Sequence, residues 1–207
     1  MWALVQNNQI VKTFNYAKGF TLNDNQYPAS IFTRWSKAKK EAIGLYEVIV
    51  DKSNYKDPAY YNNANSTIAF ANGQVTESWG TATPKLLNDR NEVQEDGSPL
   101  LDEKGNQVVT LGLKSIKKNI IKQQAAGFLA PTDWYVVKAT EVADYTVPAE
   151  ITTYRAAVRT KSNEMEQMID ACGTVEDLKR LYEYTNTGTE ENPVYTRPLG
   201  EWPEEVI

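Results

Sequence analysis

The sequence predicts an α+β fold, with an N-terminal antiparallel β-rich domain that contains a short helix and a C-terminal helical hairpin or small helical bundle. Up to about residue 80, apolar and polar residues alternate with a period of two between Asn- and Gly-containing turns, which is typical of strands. From Leu113 the apolar residues recur at three- and four-residue steps, which is typical of amphipathic helices. We therefore expect a β-rich domain over 1–80, a polar linker or projecting hairpin over 81–112, and a helical domain with an extended C-terminal strap over 113–207.

Two hairpins and a short helix are predicted in the first domain. One hairpin spans 3–14 around Asn7-Asn8, and the other spans 67–79 around Asn72-Gly73, because Asn and Gly accept positive φ at low cost. Between them, Ser36 is an N-cap candidate for a helix that ends at Gly44. A strand over 45–50 follows, with alternate side chains on opposite faces.

The segment 81–112 is polar and rich in turn-forming residues. It carries several acidic residues, but they lack the Asp-x-Asp-x-Asp-Gly spacing of a calcium-binding loop. We interpret them as residues of solvated turns.

Three helices are expected after Leu113. The first ends at Pro131 and is followed by a turn at 132–134 and a short extended run over 135–138. The second begins at Pro148 and runs for about six turns to Gly173. Its predicted apolar seam consists of Ile151, Tyr154, Val158, Met165, Met168 and Cys172.

The third helix is expected to run from Val175 to about Tyr184, with Thr174 as its N-cap.

Composition excludes several classes of protein. The chain has 207 residues, a net charge of −5 and a pI of about 5.0, which argues against a duplex-binding protein because such proteins need a large basic patch. No apolar run is long enough to span a membrane, and no signal peptide is expected at the N-terminus. Cys172 is the single cysteine, so an internal disulfide cannot form.

The sequence contains no histidine, which narrows the chemistry available to it. Catalytic triads that use His are excluded, and no phosphate-binding loop or nucleophile motif is present. A carboxylate-based hydrolase stays formally open, but no paired acidic motif supports one. We therefore expect no enzymatic activity, no cofactor, no metal and no catalytic residue.

Three motifs occur in order in the second half: LAPTDW at 129–134, YRAAVR at 154–159 and WPE at 202–204. They resemble the pattern L-x-x-T-D-W, Y-R-x-x-L-R and W-P found in tail assembly chaperones and tail fibre assembly proteins of tailed bacteriophages. Val158 stands in place of the usual leucine, and the stretch before Trp202 is longer than usual. The resemblance covers roughly the last hundred residues.

A second resemblance lies in the first half. Tyr27-Pro28 followed by AIGLYEV at 42–48 resembles the start of many phage tail fibre and virion proteins. Together the two resemblances imply a non-enzymatic structural or assembly role in a phage tail. They imply docking to other tail proteins, a symmetric homo-oligomer, and a location in the host cytoplasm during assembly and then in the virion tail.

The motif residues are candidates for a structural latch. Asp133 follows one helix and precedes another, so its carboxylate could accept turn amides or pair with Arg155 or Arg159. Trp134 is large enough to fill the angle between two helices, and Tyr154 lies on the apolar seam. The alternative is that the same residues form a docking surface for a tail partner, and for the two arginines both interpretations stay open.

A tyrosine-rich loop is a candidate partner surface. Tyr55, Tyr60 and Tyr61 lie in a loop with asparagines and a proline, a mixture that suits recognition, although tyrosines that cover the edge of the core are the commoner arrangement. With Trp35 and Trp79 they could also stack on sugars, so a host-surface glycan-binding module is an alternative function.

The C-terminal strap is a second candidate partner surface. Trp202 and Pro203 lie in a segment with little helical or strand periodicity. We expect the strap, the pair Met165 and Met168, or the polar insert to pack against another chain. Truncation after Arg197 is then expected to weaken association more than it unfolds the subunit.

Overall fold

A computed structural model describes residues 1–205 and divides the chain into two compact units, Met1–Thr83 and the residues from Pro84 onward. The boundary lies three residues after the predicted end of the first domain. The segment predicted as a linker or hairpin over 81–112 falls almost entirely in the second unit, with the helices. The last two residues of the predicted helical domain, 206–207, lie outside the described residues. The α+β fold class is confirmed.

The first unit is built around a five-stranded sheet with the strand order β2-β1-β5-β8-β7. In chain order its elements are β1 (Trp2–Gln6), β2 (Gln9–Phe14), β3 (Phe20–Leu22), β4 (Asn25–Tyr27), α1 (Ile31–Arg34), α2 (Lys37–Glu41), β5 (Leu45–Asp51), β6 (Tyr61–Asn62), β7 (Ser66–Ala71) and β8 (Gln74–Trp79), with β9 (Thr83–Pro84) at the boundary. Most pairings in the sheet are antiparallel. The exception is the parallel pair β5 and β8. The chain forms β7 first and turns back through the β7–β8 hairpin, so β8 lies beside β5 and runs in the same direction.

Both predicted hairpins are confirmed, and their turns have the expected backbone. Asn7 and Asn8 have φ values of 49° and 62°, and Asn72 and Gly73 have φ values of 52° and 76°. The short helix is also confirmed: the Ser36 hydroxyl accepts a hydrogen bond from the amide of Lys39.

A third hairpin, β3–β4, was not predicted. Its strands have three residues each, which is too short for a period of two to be recognised.

Two apolar clusters lie on the two faces of the sheet, because alternate residues of β1 point in opposite directions. Leu4 belongs to the first cluster, which packs under α1 and the β3–β4 hairpin, and Ala3 and Val5 belong to the second. The buried members of the first cluster are Leu4, Phe14, Phe20, Ile31, Phe32 and Leu45, and those of the second are Ala3, Val5, Val48 and Val75.

The second unit contains a small β structure followed by helices. Its elements are β10 (Arg90–Asn91), β11 (Val109–Thr110), α3 (Leu113–Leu129), a 3₁₀ turn (Ala130–Thr132), α4 (Asp133–Glu141), α5 (Ala149–Ala171), α6 (Val175–Arg180), β12 (Thr185–Asn186) and β13 (Tyr195–Thr196). The helix α3 packs against α5, and the pairs Lys118–Asp170 and Lys122–Glu166 show that the two run antiparallel.

Residues 90–110 form a closed ring of backbone hydrogen bonds, which we call the β ring. The amide of Glu92 donates to the Val108 carbonyl at 2.9 Å, that of Leu100 to Glu92 at 3.0 Å, and that of Val108 to Leu100 at 2.8 Å. The side-chain amide of Gln107 lies 2.7–3.1 Å from the same three carbonyl oxygens. The three ring residues are eight positions apart, and Gly97 and Gly105, with φ values of 83° and 82°, stand at matching positions in the intervening turns.

Some helical details differ from the prediction. The run 135–138 is not extended but lies within α4, because the chain continues from the 3₁₀ turn directly into a helical turn with Asp133 at its start. The long helix is confirmed, but its seam passes through Ser162 and Ile169, whereas Met168 is 38% exposed. Both registers fit a three- and four-residue spacing, and packing against α3 selects one of them.

The capping of the last helix by Thr174 is confirmed by a reciprocal bond with Asp177. This helix ends at Arg180, four residues before the predicted end, because the chain then turns towards the β12–β13 pairing.

Candidate docking site

The centre of the candidate latch is the Arg155 side chain, which is only 10% exposed. Its position on α5 places the guanidinium against the end of α3. There it donates to the Leu129 carbonyl at 3.1 Å and to the Thr132 hydroxyl, and it forms an ion pair with the Asp133 carboxylate at 2.8 Å. Thr132 is fully buried, and its hydroxyl donates to the Leu129 carbonyl at 2.7 Å. Arg155 therefore joins the first two motifs through three acceptors.

The predicted pairing of Asp133 with an arginine is confirmed for Arg155. Arg159 is exposed, and its guanidinium lies 3.5 Å from the Arg155 carbonyl oxygen. It stands one helical turn beyond Arg155, and this contact is made within α5, not with the first motif. Of the two arginines, Arg155 thus has the structural role in the latch.

Tyr154 lies beneath the latch, as predicted from the seam. It is 3% exposed and packs with Ala125 and Val158, and its hydroxyl lies 3.4 Å from the carbonyl oxygen of Phe128. Burial raises the pKa of the Tyr154 hydroxyl, and the charge of Glu205 adds to the effect. Tyr154 therefore belongs to the core of the helical hairpin.

Trp134 does not fill the angle between helices, and that prediction is wrong. The side chain is 51% exposed, because the helical turn that begins at Asp133 directs it outwards. Its ring lies against Tyr135, with 3.8 Å between the centroids, and Lys138 Nζ lies 5.8 Å from its centroid. Thr132 and Arg155 occupy the buried position instead. A docking role for Trp134 stays a prediction.

The C-terminal strap folds back on its own helical hairpin. Trp202 is half-buried against Phe128, with 5.2 Å between the ring centroids, and its ring nitrogen donates to the Gln124 side chain at 3.3 Å. Leu199 is 1% exposed, and its amide donates to the Leu181 carbonyl at 3.1 Å. Pro203, next to Trp202, is also half-buried.

The expectation that the strap packs on another chain is therefore not supported for Trp202, whose half-buried ring packs on its own α3. Met165 is likewise fully buried within its own unit. Among the residues predicted to contact a partner in the second unit, Met168, Trp134 and Arg159 are exposed, and no residue of the β ring is buried.

The tyrosine-rich loop is only partly a surface feature. Tyr60 is 6% exposed and Tyr61 is half-buried, so the burial of Tyr60 contradicts a place for it on a partner surface. Tyr55 is 41% exposed, and its ring meets Trp79 at 72°. Sugar-binding platforms need open, coplanar rings, so this geometry does not favour the glycan-binding alternative.

Trp35, the other aromatic residue of that alternative, is half-buried against the first cluster and meets Tyr27 at 86°. It too gives no flat platform.

Reactive groups are sparse in the described part of the chain. Cys172 is buried, and desolvation raises the pKa of its thiol, so the nucleophilic thiolate is disfavoured. Among residues 1–205, no group of three or more His, Cys, Asp or Glu side chains is placed to hold a metal ion. Within the same residues, no helix combines the length and the apolar character needed to cross a membrane.

Comparison of the chain with models of protein families, with curated proteins and with solved structures finds no match.

Sequence reasoning named the polar insert as a possible contact with another chain, but it did not identify the β ring within the insert. The signal that could have found it is the eight-residue spacing of Val93, Leu101 and Val109, together with the two turn glycines.

Proposed function

We propose that this chain is a non-enzymatic structural protein of a bacteriophage tail, a fibre or baseplate adaptor or a distal tail subunit, which acts by docking to other tail proteins. In this proposal it assembles in the host cytoplasm as a symmetric homo-oligomer and then stays in the virion tail. It needs neither a cofactor nor nucleic acid.

One observation carries the proposal. The three motifs that resemble those of phage tail proteins are separated by up to about seventy residues, yet they meet in one small region. Arg155 of the second motif binds Thr132 and Asp133 of the first, and Trp202 of the third packs on Phe128, next to the first. Motifs that contact one another in the fold have a physical reason to occur together in one sequence. Short motifs that occur together by chance have no such reason.

Exposed apolar side chains support docking as the mode of action. On α4 and just after it, Trp134, Val137 and Val142 are 46–51% exposed, and no residue of α4 is buried. A nine-residue helix is marginal in water on its own, so a helix of this kind gains stability when a partner covers it.

A second candidate is an assembly chaperone that binds the fibre and leaves before the virion matures. The observation in its favour is the motif trio itself, since tail assembly chaperones are among the proteins that it resembles. Both roles use the same docking surfaces, so location in the mature particle separates them.

The test is quantitative mass spectrometry of purified virions of the phage that encodes the chain, with the infected-cell lysate as the matched sample. We expect the chain in both samples, in a fixed ratio to a known tail protein. Detection in the lysate alone would identify the chaperone role instead. Virions that contain the chain only in a variable, sub-stoichiometric amount would contradict a structural role.

A further inference from the structure

The β ring has no core of its own. From residue 84 to 111 no residue is buried, although the ring is held together by the three backbone bonds and by Gln107. Val93 and Leu101 stand at equivalent positions, one residue after Glu92 and Leu100, and are 59% and 53% exposed. A hydrogen-bonded element that presents apolar side chains to water has the properties of a docking element.

Carboxylates lie close to these apolar residues in the sequence. Glu95 and Glu103 are exposed and each follows an apolar ring residue by two positions. Between residues 84 and 112 there are six Asp and Glu against three Lys and Arg, a net charge of −3. The partner of this surface should therefore offer both apolar contact and positive charge.

The first unit has a surface of that kind, which we call the basic socket. A surface cavity of about 170 Å³ is lined by Lys12, Thr13, Phe14, Asn15, Tyr16 and Lys18. Phe14, at 4% exposure, gives it an apolar wall, and Tyr16 is 70% exposed. Residues 1–23 contain these two lysines and no Asp or Glu.

The two units differ in charge as the two surfaces do. Met1–Thr83 contains eight Lys and Arg and six Asp and Glu, so its net charge is +2. The residues from Pro84 onward contain fourteen Lys and Arg and twenty-one Asp and Glu, so their net charge is −7. Opposite net charges on two units of one chain favour a contact between unlike units of two copies over a contact between like units.

We propose that the β ring of one copy docks in the basic socket of a second copy. Val93 or Leu101 contacts Phe14 in the cavity, while Glu95 and Glu103 face Lys12 and Lys18. The contact is heterologous, because it joins two different surfaces. Repeated contacts give a closed cyclic oligomer if the rotation between neighbouring copies returns to the first copy, and a filament if it does not. This inference deepens the proposed tail function by naming the partner surface. It is tested on the purified chain, so it can fail while the tail assignment stands.

Reciprocal charge reversal tests the proposal. In one variant, Lys12→Glu and Lys18→Glu make the socket acidic, and in the other, Glu95→Lys and Glu103→Lys make the ring basic. Sedimentation velocity over a range of concentrations measures self-association. We expect the full chain to associate, each variant alone to associate at least about ten-fold more weakly, and an equimolar mixture to recover most of the association, because each ring then meets a socket of opposite charge.

Two controls keep the outcome unambiguous. The pair Lys39→Glu and Lys52→Glu makes the same charge change at exposed positions of the first unit outside the socket, and should leave association within about two-fold. Replacement of Val93 and Leu101 by Ser should abolish association without a change in net charge, with far-UV circular dichroism as the check on folding.

Several results would overturn the proposal. They are a chain that stays monomeric at every concentration, an association that is insensitive to salt, and a mixture of the two charge-reversed variants that associates no better than either alone. The first two are measured on the unmodified chain, so they do not depend on the folding of any variant.

Discussion

Arg155 binds the Asp133 carboxylate at 2.8 Å while its own guanidinium is almost buried, so the two partners of this ion pair lie in very different surroundings. The Asp133 side chain is 58% exposed, whereas that of Arg155 is 10% exposed and also donates to Leu129 and Thr132. The stabilisation therefore depends mainly on the arginine, because water can replace the carboxylate but cannot easily reach the guanidinium.

Replacement of Arg155 by Ala should lower the free energy of unfolding by about 2–4 kcal/mol, because it removes three interactions at a buried site. Asp133→Ala should cost about 1 kcal/mol or less, since the carboxylate is 58% exposed and water can take its place. Urea unfolding followed by circular dichroism measures both. Arg159→Ala is the matched control and should change stability by less than about 0.5 kcal/mol. Equal effects at Arg155 and Arg159 would reject the latch.

Gly44 connects α2 to β5 in a backbone conformation that other residues adopt poorly. Its φ is +80°, and a Cβ placed there would lie 2.2 Å from the Val5 carbonyl oxygen. Its own carbonyl accepts a hydrogen bond from the Val5 amide at 2.8 Å. Gly44→Ala should therefore cost about 3 kcal/mol or more, through strain and loss of that contact.

Gly73 provides the comparison for Gly44. It has a similar φ of +76°, but a Cβ would have no neighbour within 4 Å. Gly73→Ala should therefore show only the conformational cost of about 1 kcal/mol. Thermal unfolding of the two variants measures the difference, and a similar loss in both would show that the Val5 contact does not matter.

The C-terminal strap should stabilise the helical unit. Leu199 is 1% exposed, so Leu199→Ala should cost about 2–4 kcal/mol through a lost transfer term and a cavity. Truncation after Arg197 removes Leu199 and Trp202 together and should cost more. Urea unfolding is the measurement, with Val194→Ala, at a 53% exposed position, as a control that should be nearly neutral. A truncated chain of unchanged stability that fails to associate would restore the view of the strap as an intermolecular contact.

Acidification should disrupt the hydrogen bonds of the β ring and the bond between Asp89 and the Gly112 amide, just before α3. Hydrogen bonds lower the pKa of four carboxyl groups: Asp89 from the Gly112 amide, Glu92 from the Thr110 hydroxyl, Asp96 from the Ser98 hydroxyl and Asp102 from the Asn106 amide. A carboxyl group whose pKa is lower in the folded state stabilises the fold at pH values above its ordinary pKa, which is 3.8 for Asp and 4.5 for Glu. This contribution is lost as the pH falls through the pKa of the folded state. Protection of the Leu100 and Val108 amides from hydrogen exchange should therefore be constant from about pH 7 to 5 and fall below about pH 4.

The variant Asp102→Asn tests that assignment, because it removes one of the titrating groups while keeping an acceptor oxygen. It should make the loss of protection on acidification shallower. A loss of protection between pH 7 and 5 would mean that these carboxylates do not control the ring.

Much of the local structure follows from the sequence because turn and cap chemistry acts over a few residues. Asn7-Asn8, Asn72-Gly73 and Thr174 each specify their turn or helix start through φ preferences or a side-chain bond to a nearby amide. The helix period likewise predicts α3 and α5, and the arginine fork makes Arg155 and Arg159 candidate partners of Asp133, of which the structure selects Arg155.

The sequence by itself therefore determined the fold class, two of the hairpins, the starts of α2, α3, α5 and α6, and an arginine of α5 as a candidate partner of Asp133. Only the tertiary structure decided which large side chains are buried: Trp202 packs on α3, Trp134 faces outwards, and Ile169 rather than Met168 lies in the seam. The parallel β5–β8 pairing and the β ring also depend on it. The physical reason is that turns and caps are local interactions, whereas burial depends on surfaces brought together from distant parts of the chain.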